Sequence, residues 1–321
     1  MTSTESTAGP DPVEPSSGSP AEAPPISAPA TRWAARLAYW SVRRELWENR
    51  WIYIVPLIVA AVFLLGFTTG AARIPLPFPL PQKIAVAHSL ARLLEAPFDF
   101  ASLVLMLTYL LVAVIYCLAA LHAERWDRSI LFWKSLPVSD LTTVIAKASI
   151  PVVLLPLITF AITVGTHVVM LLVGSAVLLG RGVHIIGLWR QIPLLSMWAA
   201  LLYHIVTVHA LYYAPIYGWL LLVSGWARRA AFLWSSLPVA AVIILEKLIF
   251  DTSVFGHLLI SRLMGGPAAI AFPPHGNMPM QAPTLANLDA FLASPGLWIG
   301  LAVFAAFLAG AVWQRRRQGP I

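Results

Sequence analysis

Residues 100–121 read FASLVLMLTYLLVAVIYCLAAL, a run without one charged side chain. At 1.5 Å per residue a helix needs about 20 such positions to cross the hydrocarbon layer of a bilayer. Directly after it, residues 122–147 read HAERWDRSILFWKSLPVSDLTTVIAK and carry Glu124, Arg125, Asp127, Arg128, Lys134, Asp140 and Lys147. A charge-free run that stops at a charge-dense one is a membrane span emerging into water. The same reading extends in both directions. Residues 51–72 are also free of charge, and 148–180 hold His167 as their one titratable group. Residues 191–227 are too long for one straight span, so the fourth is placed at 195–222. Residues 230–250 are apolar until Glu246 and Lys247, and 296–313 close the series. The expectation is an all-α integral membrane protein with six transmembrane helices at about 51–72, 100–121, 150–175, 195–222, 230–250 and 296–313.

Composition agrees. Of 321 residues 59% are hydrophobic and 11% charged, with mean hydropathy +0.79. A soluble domain carries about a quarter charged residues, so a water-soluble enzyme and a disordered chain are both excluded as classes. The net charge of +7 comes from basic residues scattered between apolar runs, which points to membrane topology and not to nucleic acid. Cys117 is the single cysteine and lies inside an apolar run, so neither a disulfide framework nor a thiolate metal site can form.

Residues 1–31 hold seven prolines and almost nothing to bury, and read as a disordered Pro/Ser-rich tail. Residues 32–50 differ. Trp33, Leu37, Trp40 and Trp47 share one helical face, while Arg36, Arg43 and Arg50 recur every seven positions beside it. That pairing of indole and guanidinium suits an interfacial amphipathic helix in contact with lipid headgroups. If the N-terminus is cytoplasmic, the inside segments 32–50, 122–147, 228–229 and 314–321 carry fourteen Lys and Arg, against six outside, with Lys247 at a span end. Only an even number of spans keeps the basic 314–321 tail with the rest, so both termini are expected in the cytoplasm. The outer connections are short of charge: 74–81 is Pro-rich, 83–95 reads as a separate short helix, and 254–264 and 284–293 as two more.

Several chemistries are missing from the chain. It has no Gly-x-x-x-x-Gly-Lys-Ser/Thr phosphate loop, no His-Glu-x-x-His and no Gly-x-Ser-x-Gly. His204 and His209, with Tyr203 and Tyr212, are candidates for lining a pathway in the fourth span. A gap of five places the two histidines about 140° apart on an α-helix, so they are not expected to share a face. Gly66 with Gly70, and Gly296 with Gly300, have the spacing of close helix contacts.

The 122–147 connection is the informative one. Its charged start leads into Phe132-Trp133-Lys134-Ser135-Leu136-Pro137, Pro137 stops the helix, and Ser139 or Asp140 can cap the next. Here the chain resembles the permease subunits of ABC transporters of the ABC-2 (type V exporter) class. Glu124-Arg125 after span two, Ser135-Leu-Pro-Val-Ser139, and Lys147 before span three match that family's pattern in order and spacing. The resemblance implies that 122–140 is the coupling element touching a separate ATPase subunit. Glu124, Arg125, Arg128, Phe132, Trp133, Lys134, Ser135, Leu136 and Pro137 would be the residues involved. It further implies export across a cell inner or plasma membrane, most simply bacterial. The permease would work as a homodimer or with a paralogous permease, with no cofactor in this chain and ATP and Mg on the partner ATPase. The rival readings are an intramembrane enzyme built on His204, His209 and nearby tyrosines, or a noncatalytic membrane scaffold.

Overall fold

The computed structural model describes residues 30–73, 84–127, 129, 131, 138–180, 192–265 and 285–317. Every regular element among them is helical. Helix α1 (Ala30–Glu48) is separated by two residues from α2 (Trp51–Arg73). Then come α3 (Ile84–Ala120) and the one-turn α4 (His122–Trp126). Helix α5 (Asp140–Ser149) passes through a π-helical turn at Ile150–Leu154 into α6 (Leu155–Leu179). Helix α7 (Leu194–His204) passes through a second π segment, Ile205–Tyr212, into α8 (Ala214–Trp226). Helices α9 (Ala231–Phe250), α10 (Val254–Leu263), α11 (Leu285–Leu292) and α12 (Pro295–Arg317) complete the chain.

Among the described residues six segments are long and apolar enough to cross a membrane: Trp51–Gly70, Glu95–Trp126, Asp140–Leu179, Leu194–Tyr212, Ala231–Phe250 and Pro295–Arg317. This is the architecture of a multi-pass membrane protein. The second and third helical runs extend well past 100–121 and 150–175, because α4 and α5 carry helix on into the charged connection. Residues from Ile84 onward are continuous with α3 and do not form a separate short helix, since Pro97 is absorbed inside it. Proline removes one backbone bond and need not end a helix whose neighbours hold it. The N-terminal tail to residue 29, residues 74–83 and 266–284, and Arg128 and Phe132–Pro137 lie outside the described residues.

The core is dominated by buried tyrosines. Tyr109, Tyr116 and Tyr217 are fully buried among Ile52, Ile150, Leu155 and Leu221, which come from α2, α3, the first π turn, α6 and α8. In the first π segment a proline decides which carbonyl goes unpaired. Leu155 N–H bonds back to the Ile150 carbonyl, so the next donor in register would be residue 156. That residue is Pro156, which has no N–H. The carbonyl of Pro151 accepts instead from the Tyr109 hydroxyl at 2.7 Å. Tyr109 also lies 3.2 Å from the His209 carbonyl in the facing π segment and 3.1 Å from the Tyr217 hydroxyl. One side chain thus bridges both irregular turns.

Helices α8 and α12 approach closely through glycines. A Cβ on Gly218 would come within 2.8 Å of Phe304 Cδ2, and one on Gly225 within 2.9 Å of Gln314 Oε1. Gly66, Gly70 and Gly296 have open space where a side chain would start. Gly300 is filled by Arg262 and not by a helix. These glycine pairs therefore do not make helix contacts within one chain, whereas Gly310 packs closely against Leu222.

Candidate functional site at the base of the second connection

The first carboxylate after the charge-free second span is Glu124, and it is buried. An ionised carboxylate stays buried only where cations and donors replace its water. Lys147 Nζ lies 3.0 Å from Glu124 Oε1, and Arg44 Nη2 lies 3.4 Å from the same oxygen. Arg315 donates to Glu124 Oε2 and, through Nε, to Asp140 Oδ1 at 2.9 Å. Lys147 is itself buried and also meets Glu45 Oε1 at 2.8 Å. The second oxygen of Glu45 accepts from the Tyr116 hydroxyl at 3.0 Å. Arg44 closes the ring by contacting Glu45 at 3.1 Å and Glu48 at 3.2 Å. Partial burial raises the Glu48 carboxyl above its ordinary range, and the neighbouring Arg44 partly offsets this.

The charges come from four elements. Glu45 and Arg44 belong to α1, Glu124 to α4, Asp140 and Lys147 to α5, and Arg315 to the last turns of α12. The network therefore ties the N-terminal helix, both ends of the 122–139 connection and the C-terminal helix at one level of the bundle. Neighbouring bonds reinforce the clamp. Arg125 donates to the carbonyl of Gly225, and His122 Nδ1 lies 3.0 Å from the carbonyl of Ala227, fastening α4 to the end of α8. Ser139 caps α5 by accepting from Thr142 N–H at 3.1 Å. Of the nine residues expected to form the coupling element, Glu124 and Arg125 are placed here, whereas Arg128 and Phe132–Pro137 fall outside the described residues.

The candidate pathway residues divide. The π segment Ile205–Tyr212 brings residue i+5 over residue i, so His204 and His209 meet edge to face with ring centroids 5.1 Å apart. The α-helical estimate of 140° is corrected by this local geometry. His209 also faces the rings of Tyr109 at 5.1 Å and Tyr213 at 5.3 Å. Tyr212 is turned elsewhere: its ring lies 4.4 Å beneath the Arg262 guanidinium, and its carbonyl accepts from Arg262 Nη1 at 2.8 Å. Tyr203 is half-buried. His167 is held structurally. The Trp198 indole donates to its Nδ1 at 3.1 Å, so the ring proton sits on Nε2, 3.0 Å from the Phe98 carbonyl. Glu246 does not pair with Lys247. Its carboxylate accepts from the N–H groups of Val254 (2.6 Å) and Phe255 (2.9 Å) and so caps α10.

Among the described residues no three His, Cys, Asp or Glu side chains converge as a metal site. Glu45 and Arg315 could not be found by reading the second connection alone, because they lie 102 positions from Lys147 and 191 positions from Glu124 respectively. Neither is singled out locally, since Glu45 follows Arg43 and Arg44 and Arg315 opens a run of three arginines.

Compared with protein-family models, curated proteins and solved structures, the chain matches none.

Proposed function

We propose that this chain is the permease subunit of an ABC-2 class exporter, moving substrate across a membrane with energy from a separate ATPase subunit that binds ATP and Mg. The observation that carries the reading is the buried network around Glu124 and Lys147. Those two residues belong to the motif by which the sequence resembles this family, and they bracket the connection that would meet the ATPase. A push on residues 128–137 would reach α1, the second and third spans and α12 together, because their ends share one set of ion pairs. A loop hung from two independent helices would absorb the same push.

In this reading both termini and the network face the cytoplasm, as the bias of fourteen basic residues to six requires. Helix α1 lies in the headgroup layer. Helix α9 leaves nearly all its side chains outside the bundle, an apolar surface suited to lipid or to a second permease copy. The test is a photocrosslinking residue at position 132 or 133. The expected adduct is a subunit carrying a Walker phosphate loop, and an inserted, folded chain that yields no such adduct contradicts the proposal.

One observation favours the intramembrane-enzyme reading: the buried, edge-to-face pair His204 and His209. The other ring neighbours of His209 are the tyrosines Tyr109 and Tyr213. Coupled export accounts for more of the molecule.

A further inference from the structure

Helix α1 is anchored by one side only. Glu45 is buried in the ion network, and Val42 and Leu46 pack on the core. The opposite side carries a single exposed stripe in the order Arg36, Trp40, Arg43, Trp47, Arg50. The first four follow one another at intervals of four, three and four residues and share one face of α1, and Arg50 continues the spacing in the turn just beyond it. Trp40 and Trp47 are 54% and 64% exposed, far beyond what indoles in a soluble core show. The Arg43 guanidinium sits between them, 5.1 Å from the Trp40 ring centroid and 5.6 Å from that of Trp47. Among the described residues the three arginines of the stripe make no ion pair.

We infer that this stripe is a binding surface for anionic phospholipid headgroups. The occupant follows from position and charge. Only two residues separate α1 from Trp51, the first residue of a membrane-crossing helix. At roughly 3.5 Å of chain per residue the stripe cannot leave the membrane surface at that end. Indoles settle at the glycerol and carbonyl level, and guanidinium groups donate two parallel bonds to a phosphodiester. Stacking between two indoles holds Arg43 in place, so less side-chain freedom is lost when a phosphate binds. A cation near an anionic leaflet strengthens association roughly fivefold. Three in a row therefore distinguish anionic from zwitterionic lipid.

This inference rests on α1 lying in the headgroup layer, but not on the coupling to an ATPase. The experiment uses the full chain in nanodiscs with an environment-sensitive fluorophore on Tyr39→Cys, which is exposed beside the stripe; Cys117 is buried and stays unlabelled. Quenching is compared between brominated phosphatidylcholine and brominated phosphatidylglycerol, in the parent chain and in Arg36→Gln/Arg43→Gln/Arg50→Gln. The expected result is quenching by both lipids, with at least about a fivefold preference per molecule for phosphatidylglycerol. The triple variant should lose the preference while phosphatidylcholine still quenches. Equal quenching by both lipids in the parent chain overturns the headgroup recognition but leaves α1 at the surface. No quenching by either overturns the placement of α1 as well. Inorganic phosphate added to phosphatidylcholine discs should change nothing; if it removes the difference between parent and variant, the stripe is a free-anion site instead.

Discussion

Lys147 carries the largest single burden in the network, because it is buried and faces two carboxylates at 2.8 and 3.0 Å. Removing one member of a buried ion pair leaves its partners charged in a low-dielectric site and costs about 3–5 kcal/mol. Lys147→Met should therefore lower the unfolding temperature of the purified chain strongly. Adding Glu45→Gln to it should recover part of the loss, since the stranded charge is then gone. A single variant that melts with the parent would show that the ring is not a clamp. Glu124, Arg125 and Lys147 were legible in the sequence because they stand at the edges of charge-free runs. Their partners were not, because a pairing across 80 or 191 positions leaves no local pattern.

At the scale of elements, existence and type were readable and contacts were not. Runs without charge announce spanning helices, but a π segment is invisible to a period of 3.6. That is why His204 and His209 were expected on different faces and stand together. The tyrosine bridge between the π segments gives a prediction: Tyr109→Phe leaves the Pro151 carbonyl buried without its donor, a loss of about 1–3 kcal/mol. Chemical-denaturant or thermal unfolding in detergent measures it, and no loss would mean that another donor reaches that carbonyl. Glycine spacing alone likewise does not show which glycines pack within the chain. Gly218→Val should overpack against Phe304 and Phe307 at a cost of about 1–3 kcal/mol, while Gly66→Ala should leave the folding of one chain unchanged. Melting both variants side by side checks the pair, and reversed effects would refute the α8–α12 packing.

The whole molecule is a bundle whose irregular and charged features lie at definite levels, and its orientation is open to direct measurement. Single cysteines at 82, 128, 185, 228 and 275, probed with a membrane-impermeant thiol reagent in intact cells, should label at 82, 185 and 275 only. Labelling at 128 or 228 would invert the topology and remove the ATPase-facing role of the second connection. The central claim, that this chain transmits force from a separate ATPase through residues 128–137 and the Glu124–Lys147 network, is tested most directly by ATP hydrolysis in the purified complex. The chain should purify from native membranes with ATPase activity. Phe132→Ala/Trp133→Ala should lose that activity and its subunit while the six-helix chain remains folded and inserted. A chain that purifies without ATPase activity, or a double variant that keeps the parent's full activity, would contradict the account.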